Sequence, residues 1–192
     1  PVHLGKAIGP ALGGAMRGGE LVVSGSAGDL AACEMAAGRL EIGGNAGDFV
    51  ASTLPGSMDG MRGGTLVVQG DVGQRCADRM RRGTLVIHGN AGDFLASRLV
   101  AGTIALAGRC GAHPAWGMRR GSLVLANADA AQHLTPGPSF VPAGAEAAVF
   151  WQLLSRDLAR HGGLFAGLPQ RSITRWLGDL AVAGKGEIIL PA

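Results

Sequence analysis

The chain has 192 residues, 47% of them hydrophobic, a formal charge of +3 and a mean hydropathy of +0.25, so it can bury a core and intrinsic disorder is excluded. It contains no run of about 18 apolar residues to span a membrane and no basic-then-apolar leader after Pro1, which reads as a soluble, cytoplasmic protein. Its thirty-four glycines, well above the usual share of roughly 7%, do not fall at every third position, which excludes collagen; they interleave with Leu, Val and Ile, which excludes a flexible linker.

The elements begin in the middle of a repeat, with Val2 to Leu4 as a strand and Gly9 to Gly13 as the corner after it. Six blocks on the pattern M-x-x-G-x-L-x-V follow, starting at Met16, Met35, Met61, Met80, Leu99 and Met118. Their glycines, Gly19, Gly38, Gly64, Gly83, Gly102 and Gly121, are 19, 26, 19, 19 and 19 residues apart. A seven-residue insertion at Thr53 to Asp59, carrying the turn signal Pro55-Gly56, accounts for the long interval. A G-x-x-G pair follows each of the first five blocks, from Gly25 and Gly28 to Gly108 and Gly111, and four residues later comes Ala32, Ala51, Ala77, Ala96 or Ala115. The sixth block has Asn127 and Ala130 instead, so the array ends there.

Each block holds one short alternating run, as in Leu40/Ile42 and Leu85/Ile87, the period of a half-buried strand. A unit this small cannot bury its apolar face alone, so the units must stack. The L-x-x-L-x-L spacing of a leucine-rich horseshoe is absent. The expected fold is therefore all-β: a single-stranded parallel β-helix of about six to seven coils over residues 1–134. Glycine serves its corners, where φ is positive or backbones approach closely, and the Met/Leu column fills its interior.

Residues 135–192 read as a separate segment with five of the eight aromatic residues. A linker, Thr135 to Ser139 with Pro142, leads to an amphipathic helix from about Ala145 to Arg160, stopped at Gly162-Gly163. A short helical turn at Ile173 to Leu177 and an extended run at Glu187 to Leu190 complete it. The segment is expected to form a small helical cap on the exposed coil edge, and its aromatic-rich helix to dock on a partner as well.

Patterns that carry chemistry are sparse. Cys33, Cys76 and Cys110 form no C-x-x-C pair and read as free thiols. His3, His88, His113, His133 and His161 show neither H-x-H nor H-x-x-x-H spacing, so surface or corner positions are expected in place of metal ligation. Val23-Ser24-Gly25-Ser26 is no nucleophile elbow, and Lys185 is not followed by the Ser or Thr of a phosphate loop. Asp29, Asp48 and Asp93 recur after the second glycine of a pair, as turn-stabilising carboxylates do. The arginines are more informative, because stacking turns sequence columns into spatial stripes. Arg17, Arg62, Arg81 and Arg119 share one repeat position, and Arg82 and Arg120 share the next. Either acidic residues on adjoining columns neutralise the stripe, or Arg81, Arg82, Arg119 and Arg120 bind an acidic partner. Nucleic acid is not expected, since few aromatics interleave with the stripe.

The repeats at Met16 to Gly28 and Met61 to Gly73 resemble the glycine-rich β-helix shared by the C-terminal domain of large glutamate synthases and the C component of formylmethanofuran dehydrogenases. The interruption before Met61, together with the tail Arg175-Trp176-Leu177-Gly178-Asp179-Leu180-Ala181 and Gly184-Lys185-Gly186-Glu187-Ile188, resembles that C component, particularly its bacterial form in the formyltransferase/hydrolase complex of methylotrophs. Members of that family carry further sequence ahead of this point, so the chain is expected to lack its start. The resemblance implies a complex that moves formyl groups between tetrahydromethanopterin and a methanofuran-like (methylofuran) carrier and releases formate. In the archaeal molybdenum or tungsten dehydrogenase, redox chemistry replaces that hydrolysis. It also implies a formyltransferase subunit and amidohydrolase-like subunits as partners, active sites on those partners, and a non-catalytic scaffold role for this chain. No cofactor and no membrane contact are implied for the chain itself. On this reading the arginine stripe faces a neighbouring subunit or the carrier's polyglutamate tail. A glutamate synthase β-helix domain is the alternative from another enzyme class.

Overall fold

The computed structural model describes residues 1–5, 8–143 and 148–191, and in it the repeats stack as the expected parallel β-helix. Strands β1 (Val2–Leu4), β2 (Arg17–Val23), β3 (Ala37–Ile42), β4 (Thr65–Val68), β5 (Thr84–Ile87), β6 (Thr103–Leu106) and β7 (Ser122–Leu125) pair in sequence order. The register repeats with the sequence period: Leu66, Leu85, Ile104 and Leu123 are successive partners. Leu40 pairs directly with Leu66, so the ladder passes the insertion without a shift. A second ladder of single-residue bridges links Ala27, Ala46, Val72, Ala91 and Cys110 along another side of the stack.

The remaining side is a corner in the left-handed region. In the coil of β5, Arg75, Ala77 and Arg79 have φ of 54°, 61° and 56°, and the same alternation recurs at Phe94, Ala96 and Arg98. Alternate residues point outward, while Ala77 and Ala96 are fully buried. This accounts for the alanines in the sequence pattern: the side chain points into a packed interior from a backbone that penalises anything large. The block glycines sit at the opposite end of the inward Met/Leu column. Gly83, at φ +100°, lies against the Gly64 carbonyl oxygen, where a Cβ would approach to 2.7 Å.

The tail closes the stack with strands. Strand β10 (Gly186–Pro191) continues the parallel sheet on β7; β9 (Ile173–Gly178) pairs antiparallel to β10, and β8 (Val141–Ala143) to β9. The helical turn expected at Ile173 to Leu177 is thus a strand. Once β10 is placed, its outer edge presents unpaired backbone groups, and Ile173, Thr174 and Trp176 suit a pleated surface. The missing G-x-x-G pair marks where the chain leaves the coil: Asn127 Oδ1 accepts from the N–H of Asp129 at 3.0 Å and caps helix α1 (Ala128–His133).

Helix α2 is described over Ala148–Ala159; Ala145 to Ala147 of the expected helix lie outside the described residues. It lies along the flank of the sheet. With a 3-10 segment at Gly163–Gln170, its Trp151 and Leu158 cover Val67, Val86, Ala105 and Val124. Those mid-strand residues are buried on the face that period-two alternation assigns to solvent, so β4 to β7 are covered on both sides. Among the described residues no helix is long and apolar enough to cross a membrane.

Candidate functional site

Most polar columns of the solenoid serve the backbone. Asp29 Oδ1 accepts from the Asp48 N–H at 2.8 Å, Asp48 Oδ1 from the Gln74 N–H at 2.9 Å, and Asp93 Oδ1 from the Ala112 N–H at 2.7 Å. The Asp column therefore stabilises the corner from one coil to the next, with each carboxylate holding the turn that follows it in the stack. A parallel ladder runs through Ser26, Asn45, Asp71 and Asn90, whose side chains accept from the N–H groups of Asn45, Asp71, Asn90 and Arg109. This second ladder is not among the expectations from sequence, although its members all stand directly after the first glycine of a G-x-x-G pair.

The cysteine thiols are held protonated. All three cysteines are free; burial raises the Cys76 thiol far above its usual range and pushes Cys110 up to about 11, so neither forms a thiolate near neutrality. His88 is half-buried at the turn after β5: its ring meets Phe165 edge-on at 5.2 Å, and Nε2 is buried with no partner among the described residues. Burial, reinforced by nearby His161, lowers its pKa. Among the described residues no group of three or more His, Cys, Asp or Glu side chains is placed to hold a metal ion.

The arginine columns give the molecule its distinctive surface. Backbone bonds from Arg81 N to Met61 O, Val100 N to Met80 O and Arg119 N to Leu99 O put Arg81, Val100 and Arg119 in one file, whereas the bond from Lys185 N to Arg119 O sets Lys185 beside Arg120 in the adjoining one. The adjoining file therefore gains Lys185 from β10's approach, which the repeat pattern could not reveal. Arg81 and Arg119 stand on the first file two coils apart, Arg82 and Arg120 on the second, and all four are exposed. The two halves of the stripe differ in their partners. Asp59, from the insertion, accepts from Arg81 at 2.9 Å and lies 4.0 Å from Arg62, which also reaches Glu34 at 3.4 Å. Arg82, Arg119 and Arg120 meet no carboxylate among the described residues. A further file, Arg79 and Arg98, which the block pattern does not mark, flanks the stripe across the inward Met/Leu column. Arg98 forks onto the 4%-exposed Asp78 at 2.9 and 2.7 Å, and the Ser97 hydroxyl donates to the same carboxylate. This network is buried and bidentate, unlike the exposed Asp59 pairs, which contribute about 0–1 kcal/mol each.

No family model matches the chain. Over 55 residues the sequence is 42% identical to the C component of the Fhc formyltransferase/hydrolase complex of Methylorubrum extorquens, a stretch that spans 29% of this chain and 21% of that relative. The fold superposes with a TM-score of 0.90 on a chain of the crystal structure of the formyltransferase/hydrolase complex FhcABCD from Methylorubrum extorquens in complex with methylofuran. That match, at 40% identity, takes in 99% of this chain and 69% of the other. By this near-complete correspondence of sequence and coil geometry, the chain belongs to the family of β-helical C components of formyltransferase/hydrolase complexes.

Proposed function

We propose that the chain is a non-catalytic scaffold subunit of a formyltransferase/hydrolase complex, which moves formyl groups between tetrahydromethanopterin and a methanofuran-like carrier and releases formate. The observation that carries this reading is the 0.90 superposition at 40% identity on a chain of such a complex. The partners are a formyltransferase subunit and amidohydrolase-like subunits, and catalysis lies with them. Two features of the chain support a holding role: its polar columns are spent on inter-coil hydrogen bonds, and burial keeps its thiols protonated. Arg81, Arg82, Arg119 and Arg120 contact an acidic partner surface or the carboxylate tail of the carrier. The uncompensated charges of Arg82, Arg119 and Arg120 support that contact, and Arg81 brings Asp59 with it. Native purification through a tag on this chain, with mass spectrometry of the assembly, tests the reading: formyltransferase and amidohydrolase-like subunits are expected. The chain alone is expected to show no formyl transfer or hydrolysis; turnover by the pure chain at the rate of the complex overturns the scaffold role. Replacing all four arginines by Gln should leave the fold intact and weaken retention of a subunit or of the carrier, more so as salt rises.

A further inference from the structure

The insertion at residues 53–59 is the one break in the repeat, and the strand ladder does not need it. It stands over the left-handed corner, and a cavity opens on each side of it. One, of about 510 Å³, is bounded by Phe49, Leu54, Pro55 and Arg75; the other, of about 470 Å³, by Met58, Trp116, Arg119 and Val182. Arg79 and Arg98 line both, so the two cavities share a floor. Phe49 and Trp116 lie three coils apart, roughly 14 Å, the span of about four extended residues.

This furrow combines apolar and cationic character. Met58 is 70% exposed and Trp116 54%, with Val182 beside them in water. Large apolar side chains left exposed together around arginine are the composition of an interface core. The charges are unequally met: Asp78 holds Arg98 and Asp59 holds Arg81. Arg75 instead lies over the Phe94 ring at 5.2 Å, Arg79 Nη1 lies 3.1 Å from the Met58 sulfur, and Arg119 has no carboxylate among the described residues. Asp29 and Asp179 also line the two cavities, but their carboxylates accept from the backbone N–H groups of Asp48, Gly117 and Ala181 and pair with no arginine among the described residues. Three arginines without ion-pair partners, set along a furrow with an apolar wall, call for a ligand that alternates carboxylates with an apolar side chain.

We propose that this furrow docks an extended acidic segment of a partner polypeptide, seating one apolar side chain between Met58 and Trp116 and its carboxylates on Arg75, Arg79 and Arg119. The inference rests on the scaffold reading and names the surface that does the holding. The insertion supplies the wall, which gives a reason for its place in an otherwise strict repeat.

The test uses the assembly purified natively through a tag on this chain. Trp116→p-benzoylphenylalanine provides a photo-cross-linker, and Met58→Ser, Arg79→Gln and Trp116→Ala together remove the seat while leaving Asp78, Ser97 and Arg98 in place. The cross-link is expected on a co-purifying subunit, in a segment with Asp or Glu on either side of an apolar residue. The triple variant is expected to keep a wild-type circular dichroism spectrum and to bind that subunit at least about tenfold more weakly. A triple variant that holds every subunit as tightly as the wild type overturns the proposal and leaves the scaffold reading standing. So does a cross-link to a second copy of this chain or to a segment without carboxylates, or a variant that keeps its subunits and loses only the carrier. A wild-type chain that captures no subunit overturns the scaffold reading itself, and the docking proposal with it.

Discussion

Gly83→Val probes the corner on which the repeat depends. At φ +100° the residue occupies a backbone region that a β-branched side chain scarcely enters, and a Cβ there would lie 2.7 Å from the Gly64 oxygen and 3.0 Å from the Gly63 carbonyl carbon and Met61 Cε. Met61 can turn away, but the Gly64 oxygen accepts from the Thr84 N–H at 3.0 Å and cannot retreat without lengthening that ladder bond. Strain at the special φ costs about 1–3 kcal/mol, and the forced contact a further 1–3 or so. The total of about 2–6 kcal/mol is a large part of the 5–15 kcal/mol or so that stabilises a typical domain. For a chain of this size it corresponds to a fall of roughly 4–24 °C in melting temperature. Thermal unfolding followed by far-ultraviolet circular dichroism measures it, with Gly18→Ala as control. At Gly18 a Cβ meets nothing within 4 Å and φ is not positive, so its effect should stay within about 0.5 kcal/mol. A Gly83→Val chain that melts with the wild type refutes the assigned corner geometry.

Asp78→Ala strips a buried carboxylate from Arg98 and Ser97 and should cost about 3 kcal/mol, the low end for a broken buried pair because Arg98 keeps part of its solvent contact; urea unfolding reads the loss, and an unchanged midpoint would mean the network contributes nothing. Burial of Asp179 opposes its charge, but hydrogen bonds from the Ser139 hydroxyl and the N–H groups of Gly117 and Ala181 outweigh it and hold the carboxyl below its ordinary value of 3.8. The folded state thus keeps the charge longer than the unfolded one: the stabilisation is complete well above pH 3.8 and fades as pH falls through the lower folded value. Between pH 6 and pH 3 the wild type should lose more stability than Asp179→Asn, and parallel curves would contradict the assignment. Removal of residues 135–192 should yield an aggregating chain, because it bares both the edge of β7 and the flank at Val67, Val86, Ala105 and Val124; a soluble, monomeric truncated chain in size-exclusion chromatography would refute this.

The solenoid was legible in the sequence because its interactions are local in one dimension: each coil meets only its neighbours, so the same demands recur and print the same residues every 19 positions. Gly83, Ala77 and the Leu66–Leu85–Ile104 file each answer a demand made by the adjacent coil. The tail carries no such period. Whether Ile173 to Gly178 becomes helix or strand depends on the open edge of β10, and the burial of Val86 and Val124 depends on a helix more than twenty residues beyond the last coil strand. The continuous apolar runs of β4 to β7, against Glu41 at the same place in β3, were a readable sign of a covered face. The arginine surface was half legible. Its column followed from the period, but its charge balance did not: Asp59 comes from the aperiodic insertion, Lys185 reaches the Arg120 file from 65 positions further along the chain, and Arg79 and Arg98 flank the stripe only because the corner turns alternate residues outward. Periodic contacts are written in the sequence once per coil, whereas docking between distant segments is decided only when both surfaces exist.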